Sequence, residues 1–258
     1  MVTQPDARRK ATAALPSHKR DATRSGLKAR ITACDWQAID TELDDYGVGR
    51  LGPLLTQAEC EKLIETYDRD NTFRTTVNMA RHGYGRGQYK YFAYPLPDMI
   101  TVLRTHVYPH AARTANRWAA LLGSTATYPA DHAAMLARCQ AAGQTRPTPL
   151  LLRYESGDYN CLHQDVYGAH VFPLQLVILL SNPADFSGGE FVLTEQRPRM
   201  QSRVEVVPLK QGEAALFAVN ERPRQGAKGY HRVKLRHGVS RLRTGLRHTA
   251  GIIFHDAT

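Results

Sequence analysis

The spacing of apolar positions along the 258-residue chain changes character three times. Residues 1–32 are polar and show no period, with Pro5, Pro16 and Gly26 scattered through them, so a disordered basic tail is expected there. A helix is predicted from Trp36, N-capped by Asp35, with Ile39 and Leu43 on one face. Gly52-Pro53 separates it from a second helix opened by the capping box Thr56-Gln-Ala-Glu59, with Cys60, Leu63, Ile64 and Tyr67 at helical spacing. Phe73, Thr75 and Val77 then alternate like a strand, and glycines interleave with aromatics and bases from Arg81 to Tyr94. That pattern predicts a hairpin over 73–94 with a Gly-rich turn. Helical spacing returns over 98–122 and 129–142, the first kinked or split at Pro109 and the second ended by Gly143.

From Thr148 onward the pattern is that of strands: 149–155, 172–180, 190–194, 203–208, 214–219, 230–236 and 247–254, with a short one near 161–165. Turn signals at Ser156-Gly-Asp158, Ser187-Gly-Gly189 and Gln211-Gly212 separate them, as in a sandwich or barrel. Helices first and strands second make the chain α+β. The expected organisation is a tail over 1–32 and one domain over 33–258, mainly helical to 147 and β from 148.

Composition adds little to this: 42% hydrophobic and 22% charged residues suit a folded chain with an ample core. The longest apolar run, Val171 to Leu180, is about half the roughly 20 residues a membrane-spanning helix needs, so no membrane helix is expected. Four widely spaced cysteines contain no C-x-x-C pair, and with no apolar signal segment after Arg8-Arg9-Lys10 the expected location is the cytoplasm.

Charge changes the picture more. The net +10 is the balance of +6 over residues 1–30, +10 over 197–247 and −6 elsewhere. So lopsided a distribution points either to a polyanionic partner such as nucleic acid or to a solvated Arg-rich surface.

The strand half holds His163-Gln-Asp165 and, 74 residues later, His237. Side chains alternate along a strand, so a His-x-Asp pair presents both groups to one face. Two imidazoles and one carboxylate occupy one face of an octahedron and leave three positions open, the ligand set of non-heme Fe(II) oxygenases. Arg247, ten residues after His237, is suited to gripping a dicarboxylate bidentately. Tyr154 lies on the strand leading into the site, and Cys161 shares a face with His163.

The run Arg153-Tyr154-x-x-Gly157-x5-His163-x-Asp165, the Gly188-Gly189-Glu190 turn and the His237/Arg247 pairing resemble the 2-oxoglutarate/Fe(II)-dependent dioxygenases. Residues 153–165 resemble AlkB-type nucleic-acid dealkylases, down to Leu162-His163-Gln164-Asp165. Arg241 and Arg247 also reproduce an Arg-x5-Arg pattern. Its placement departs from the AlkB arrangement, and the His237-to-Arg247 spacing is nearer that of prolyl hydroxylases. Arg81–Pro95, Arg146–Gly168, Phe172–Arg203 and Arg236–Ala257 are together similar to a bacterial oxygenase family proposed to demethylate damaged DNA oxidatively.

The resemblance implies a double-stranded β-helix (jelly-roll, cupin-like) core with the N-terminal helices packed on it. It implies Fe(II) on His163, Asp165 and His237, and 2-oxoglutarate on Arg247 with a hydrogen bond from Tyr154, O₂ being the oxidant. Tyr167 stands where AlkB enzymes carry a base-contacting acid; an aromatic there stacks on a base but offers no carboxylate. For the substrate, Tyr84, Tyr89 and Tyr167 are candidate base-stacking groups, with Arg81, Arg86, Arg197, Arg199 and Arg203 as candidate phosphate contacts. The alternatives are a protein hydroxylase of prolyl type, a small-molecule hydroxylase and a non-catalytic cupin-like binding module, the last disfavoured by the intact ligand set.

Overall fold

The structure, a computed structural model, describes residues 26–166, 168–196 and 200–258. Its helical half begins earlier than the sequence suggests. Residues 26–32 form α1, which buries Leu27 and Ile31, one turn apart, in the main core. Arg30 fixes it to the next layer through Glu59 at 2.6 Å and the Leu54 carbonyl. The expectation of a structureless tail to residue 32 is thereby corrected for residues 26–32. Two apolar residues in a basic stretch give no visible period, yet they are enough to dock one short helix.

Helix α2 (Trp36–Tyr46) starts at the expected Asp35 cap, which accepts from the Ala38 N–H, and ends at Gly47 in the left-handed conformation. α3 (Gln57–Glu65) is opened by the complete Thr56/Glu59 capping box. Between them lies β1 (Val48–Pro53), where the sequence marked only a break. α4 (Asp98–Leu121) runs through Pro109 without being split. A proline inside a helix costs about 3 kcal/mol. The thirteen residues α4 buries along its length outweigh that. α5 (His132–Ala141) follows, capped by Asp131.

The strands are β2 (Phe73–Asn78), β3 (Gly85–Arg86), β4 (Gln88–Phe92), β5 (Leu150–Glu155), β6 (Tyr159–His163) and β7 (Leu174–Leu179). There follow β8 (Phe186–Gly188), β9 (Phe191–Gln196), β10 (Arg203–Val207), β11 (Glu213–Ala218), β12 (Glu221–Gly226), β13 (Gly229–Val239) and β14 (Leu242–Ile253). They form two antiparallel sheets. The larger has the order β1-β11-β7-β14-β5-β4-β2, with β8 on β14; the smaller is β10-β9-β13-β6-β3, with β12 on β13. This is the double-stranded β-helix expected, with helices packed against it. β2 and β4 pair as the hairpin expected over 73–94, and β4 extends the large sheet beside β5.

Period-2 alternation builds the interior. On the large sheet Leu150, Leu152 and Tyr154 of β5, Gln175 and Val177 of β7, and Arg247, Thr249, Gly251 and Ile253 of β14 all face one cavity. The intervening residues face the other way, where His248 sets its ring edge-on to Tyr67 at 5.6 Å. β7 is buried on both faces, which explains its almost continuous apolar run. No helix among the described residues is long and apolar enough to cross a membrane.

Candidate active site

β6 of the small sheet ends at His163, and Asp165 follows two residues later. β13 pairs antiparallel with β6 so that His237 stands directly opposite His163. Their rings lie 4.2 Å apart between centroids. The Asp165 carboxylate reaches both, with Oδ1 3.6 Å from His163 Nε2 and Oδ2 3.4 Å from His237 Nε2. All three ligand atoms fall within 4.8 Å of one another, the spacing that one shared cation demands.

The surroundings set the ligands' protonation. His163 Nδ1 lies 2.8 Å from the Cys161 carbonyl, so Nδ1–H donates there and Nε2 faces Asp165 with its lone pair free. Burial, with the His237 ring next to it, depresses the His163 pKa and keeps the imidazole neutral, as a metal ligand must be. Burial alone would raise the Asp165 carboxyl; the hydrogen bond from His237, with the two imidazoles facing the carboxylate, carries it below its ordinary value. Phe217, at 4.7 Å, and Phe191, at 6.1 Å, pack the His237 ring in place.

These groups line a cavity of about 470 Å³ whose walls come from both sheets. Arg247 lines the same cavity. It lies directly opposite Tyr154 in the β14–β5 pair, with its guanidinium 5.7 Å from the Tyr154 ring and 5.9 Å from that of Phe186. Its side chain is buried, and Nη1 has no hydrogen-bond partner among the described residues. The Tyr154 hydroxyl is equally buried and makes no hydrogen bond of ordinary geometry. Desolvation weakens the Arg247 cation, offset in part by Tyr154 and Glu190. A buried cation left unpaired costs several kcal/mol, and a dicarboxylate entering the cavity would relieve that cost. The Gly188-Gly189 turn is part of the same construction. Both glycines are left-handed, and a Cβ on Gly189 would sit 3.0 Å from Arg247 Cδ and closer still to Leu242. The described residues thus fit both a facial metal and a carboxylate-bearing cosubstrate.

Among the substrate candidates, Tyr84 and Tyr89 line the cavity. Tyr84 is half exposed at its rim and stacks on His82 at 5.3 Å. Tyr89 meets Tyr91, a further lining residue, edge to face at 5.3 Å. Arg81 and Arg86 are exposed on the segment that carries Tyr84 but are not among the lining residues. Arg86 is held only loosely by Asp158 at 3.9 Å. Tyr167, Arg197 and Arg199 lie outside the described residues.

Arg203, a further candidate phosphate contact, is not among the residues that line the cavity. It lies 3.6 Å from Glu195 and over the Tyr46 ring. Glu195 is almost wholly buried and also pairs with Arg222 and Arg224, while Arg222 donates to the Asp44 and Asp45 carbonyls. On β13, Arg232, Lys234 and Arg236 alternate with inward-facing Val233, Leu235 and His237, so they sit on the outer face of the small sheet. Arg203, Arg222, Arg224, Arg232, Lys234 and Arg236 are therefore not among the residues that line the cavity. Among the described residues, Arg247 is the one cation of the 197–247 segment that lines the cavity.

Sequence reading did not single out Gln175, Asn160, Tyr91 or Thr249, all lining residues. Register supplies the signal it lacked: Tyr91 shares parity with Tyr89 on β4, and Thr249 shares parity with Arg247 on β14.

A family model described as "Oxygenase, catalysing oxidative methylation of damaged DNA" matches residues 87–257. An uncharacterized protein of Mycobacterium tuberculosis, found in strains CDC 1551 and H37Rv, is 47% identical over 167 residues, covering 64% of this chain and 72% of its own. Among solved structures, a 2OG-Fe(II) oxygenase-family oxidoreductase from Burkholderia pseudomallei aligns with TM-score 0.50 and 16% identity, over 88% of this chain and 94% of that one. A prolyl hydroxylase from Trichoplax adhaerens, in complex with a hypoxia inducible factor peptide fragment, aligns with TM-score 0.53 and 14% identity, over 92% and 91%. At such identities the two structures speak to the fold.

Proposed function

The chain belongs to the oxygenase family described as acting on damaged DNA, and on that footing we propose that it is an Fe(II)- and 2-oxoglutarate-dependent dioxygenase that oxidises N-methyl groups on nucleic-acid bases. The observation that carries the reading is the pairing, inside one cavity, of the His163/Asp165/His237 cluster with the buried, unsatisfied Arg247. His163, Asp165 and His237 would hold the iron. Arg247 would hold the far carboxylate of 2-oxoglutarate, with Tyr154 donating its hydroxyl proton to the same group. Iron, O₂ and 2-oxoglutarate together supply the oxidising power that places one oxygen atom on a substrate C–H carbon and the other in succinate, with CO₂ released. When that carbon is an N-methyl, the resulting N–CH₂OH breaks its C–N bond, leaving N–H and formaldehyde.

The protein's own contribution is positioning and exclusion. Leu150, Leu152, Val177 and Ile253 make the wall apolar and keep bulk water from the reacting centre. The Cys161 carbonyl holds His163 in one tautomer. Tyr84 and Tyr89, at and below the rim, offer faces on which an extruded base stacks. Arg81 and Arg86 stand where flanking phosphates would pass.

Protein side-chain hydroxylation is the second reading. It is favoured by Arg203, Arg222, Arg224, Arg232, Lys234 and Arg236 not lining the cavity and by the exposed apolar Leu162 at it. Incubation of the iron-loaded protein with 2-oxoglutarate and an N-methylated oligonucleotide tests the first reading. Formaldehyde equimolar with succinate supports it; succinate stimulated only by peptides replaces it with the second.

A further inference from the structure

Gln175, like Arg247, Tyr154 and His237, lines the cavity with a buried polar atom that has no hydrogen-bond partner among the described residues. It is 6% exposed, it lines the cavity from β7, and its Oε1 has no hydrogen-bond partner among the described residues. A buried amide oxygen left without a donor loses its hydration with nothing in return. Its position in an otherwise apolar strand, Leu174–Leu179, therefore calls for a ligand.

Strand register says which ligand it is placed to meet. Gln175 pairs with Phe217 on one side and with Ile253 on the other. The Phe217 ring lies 4.7 Å from that of His237. Arg247 is six residues from Ile253 along β14, about 20 Å at the usual strand rise. The floor of the cavity therefore has two polar poles. Arg247 and Tyr154 form one and are suited to a carboxylate. Gln175 forms the other, beyond the metal cluster's Phe217 wall, and is too far along the sheet to share a small dicarboxylate's distal end.

A carboxamide is neutral and presents one donor and one acceptor side by side. It is complementary to an edge that presents the same pair in reverse, as adenine does with its exocyclic amine and a ring nitrogen. It is poorly matched to an anion, which offers acceptors only. We propose that Gln175 is a substrate-recognition residue that reads the donor–acceptor edge of an adenine-type base held next to the metal. This rests on the oxygenase reading above and names the edge of the substrate it recognises.

The test compares wild type with Gln175→Leu, which keeps volume and loses both polar atoms, and Gln175→Glu, which keeps shape and loses the donor. Three quantities are measured: calorimetric affinity for an N-methylated adenosine in the presence of Fe(II) and 2-oxoglutarate without O₂, the KM for 2-oxoglutarate in substrate-free succinate formation, and formaldehyde release from a methylated oligonucleotide. The expected result is nucleoside binding weakened tenfold or more in both variants, with the KM for 2-oxoglutarate within twofold of wild type. Three results would overturn the assignment: a tenfold rise in the KM for 2-oxoglutarate, unchanged nucleoside affinity in Gln175→Leu, or no nucleoside binding by wild type. Gln175-dependent nucleoside binding without formaldehyde would leave the assignment standing and sink the demethylation reading alone.

Discussion

Arg247 and Tyr154 stand directly opposite each other on adjacent antiparallel strands, and both line the cavity, where the buried Arg247 Nη1 has no hydrogen-bond partner among the described residues and the Tyr154 hydroxyl makes no hydrogen bond of ordinary geometry. That is a poor arrangement for stability and a good one for holding a carboxylate. Arg247→Met is therefore expected to raise the KM for 2-oxoglutarate by the equivalent of about 2–5 kcal/mol, the usual result of losing one partner of a buried charge pair. The same variant should unfold at a temperature no lower than wild type, since it removes an uncompensated buried charge. Succinate formation across a 2-oxoglutarate series, with a melting curve, checks both; a normal KM would move the role to Arg241 or Arg243.

Tyr84 is exposed at the rim and Tyr89 lies deeper. Base–aromatic stacking contributes about 1–3 kcal/mol per base. Tyr84→Ala should then weaken oligonucleotide binding about tenfold and leave the KM for 2-oxoglutarate alone. Fluorescence anisotropy with a labelled single strand measures this; equal affinities would remove Tyr84 from the substrate path.

The element-by-element legibility of the chain follows how local each signal is. β5, β9, β10, β13 and β14 were readable because apolar alternation survives in their own residues, and β7 and β11 because theirs are short apolar runs. β12, Glu-Arg-Pro-Arg-Gln-Gly, was not, because its buried members are Pro223 and Arg222, the latter made burial-competent by Glu195 and two carbonyls far away in sequence. β1 was hidden by Gly49 and Gly52; a Cβ at Gly49 would meet the Ile39 carbonyl at 2.6 Å. In the site, the His-x-Asp spacing and the distant histidine were legible because strand parity alone brings them together. Gln175 was not, because a lone amide in an apolar strand reads as core until its register against Phe217 is known.

Asp256 and Arg104 form a buried ion pair at 2.6 Å, neither more than 1% exposed, which ties α4 to the end of β14 with help from Tyr94 and the Ile253 carbonyl. Asp256→Ala leaves the Arg104 charge buried and unmatched. Stability should fall by about 3–5 kcal/mol. Denaturant unfolding checks this; a loss under 1 kcal/mol would mean that water reaches Arg104.

Three histidines are held neutral by burial, His132 with its pKa lowered to about 3 and His248 and His255 to about 4. Each takes up its proton more readily when unfolded, near pH 6.5. Their contribution is intact above about pH 6.5 and is lost as pH falls toward 4. The melting temperature should drop steadily between pH 7 and 5, and His248→Asn should flatten part of that slope. A melting temperature flat from pH 7 to 5 would contradict the buried-neutral assignment.

The central claim is that one cation and one dicarboxylate share this cavity, and anaerobic Fe(II) binding by Asp165→Ala tests it most directly. Asp165 touches both histidines, and its removal leaves two ligands of three. Equilibrium dialysis with 2-oxoglutarate present should show one Fe(II) per wild-type chain, iron affinity lowered at least a hundredfold in the variant, and no succinate formed on admitting O₂. Wild-type iron affinity in Asp165→Ala, or succinate formation that persists in it, would contradict the account.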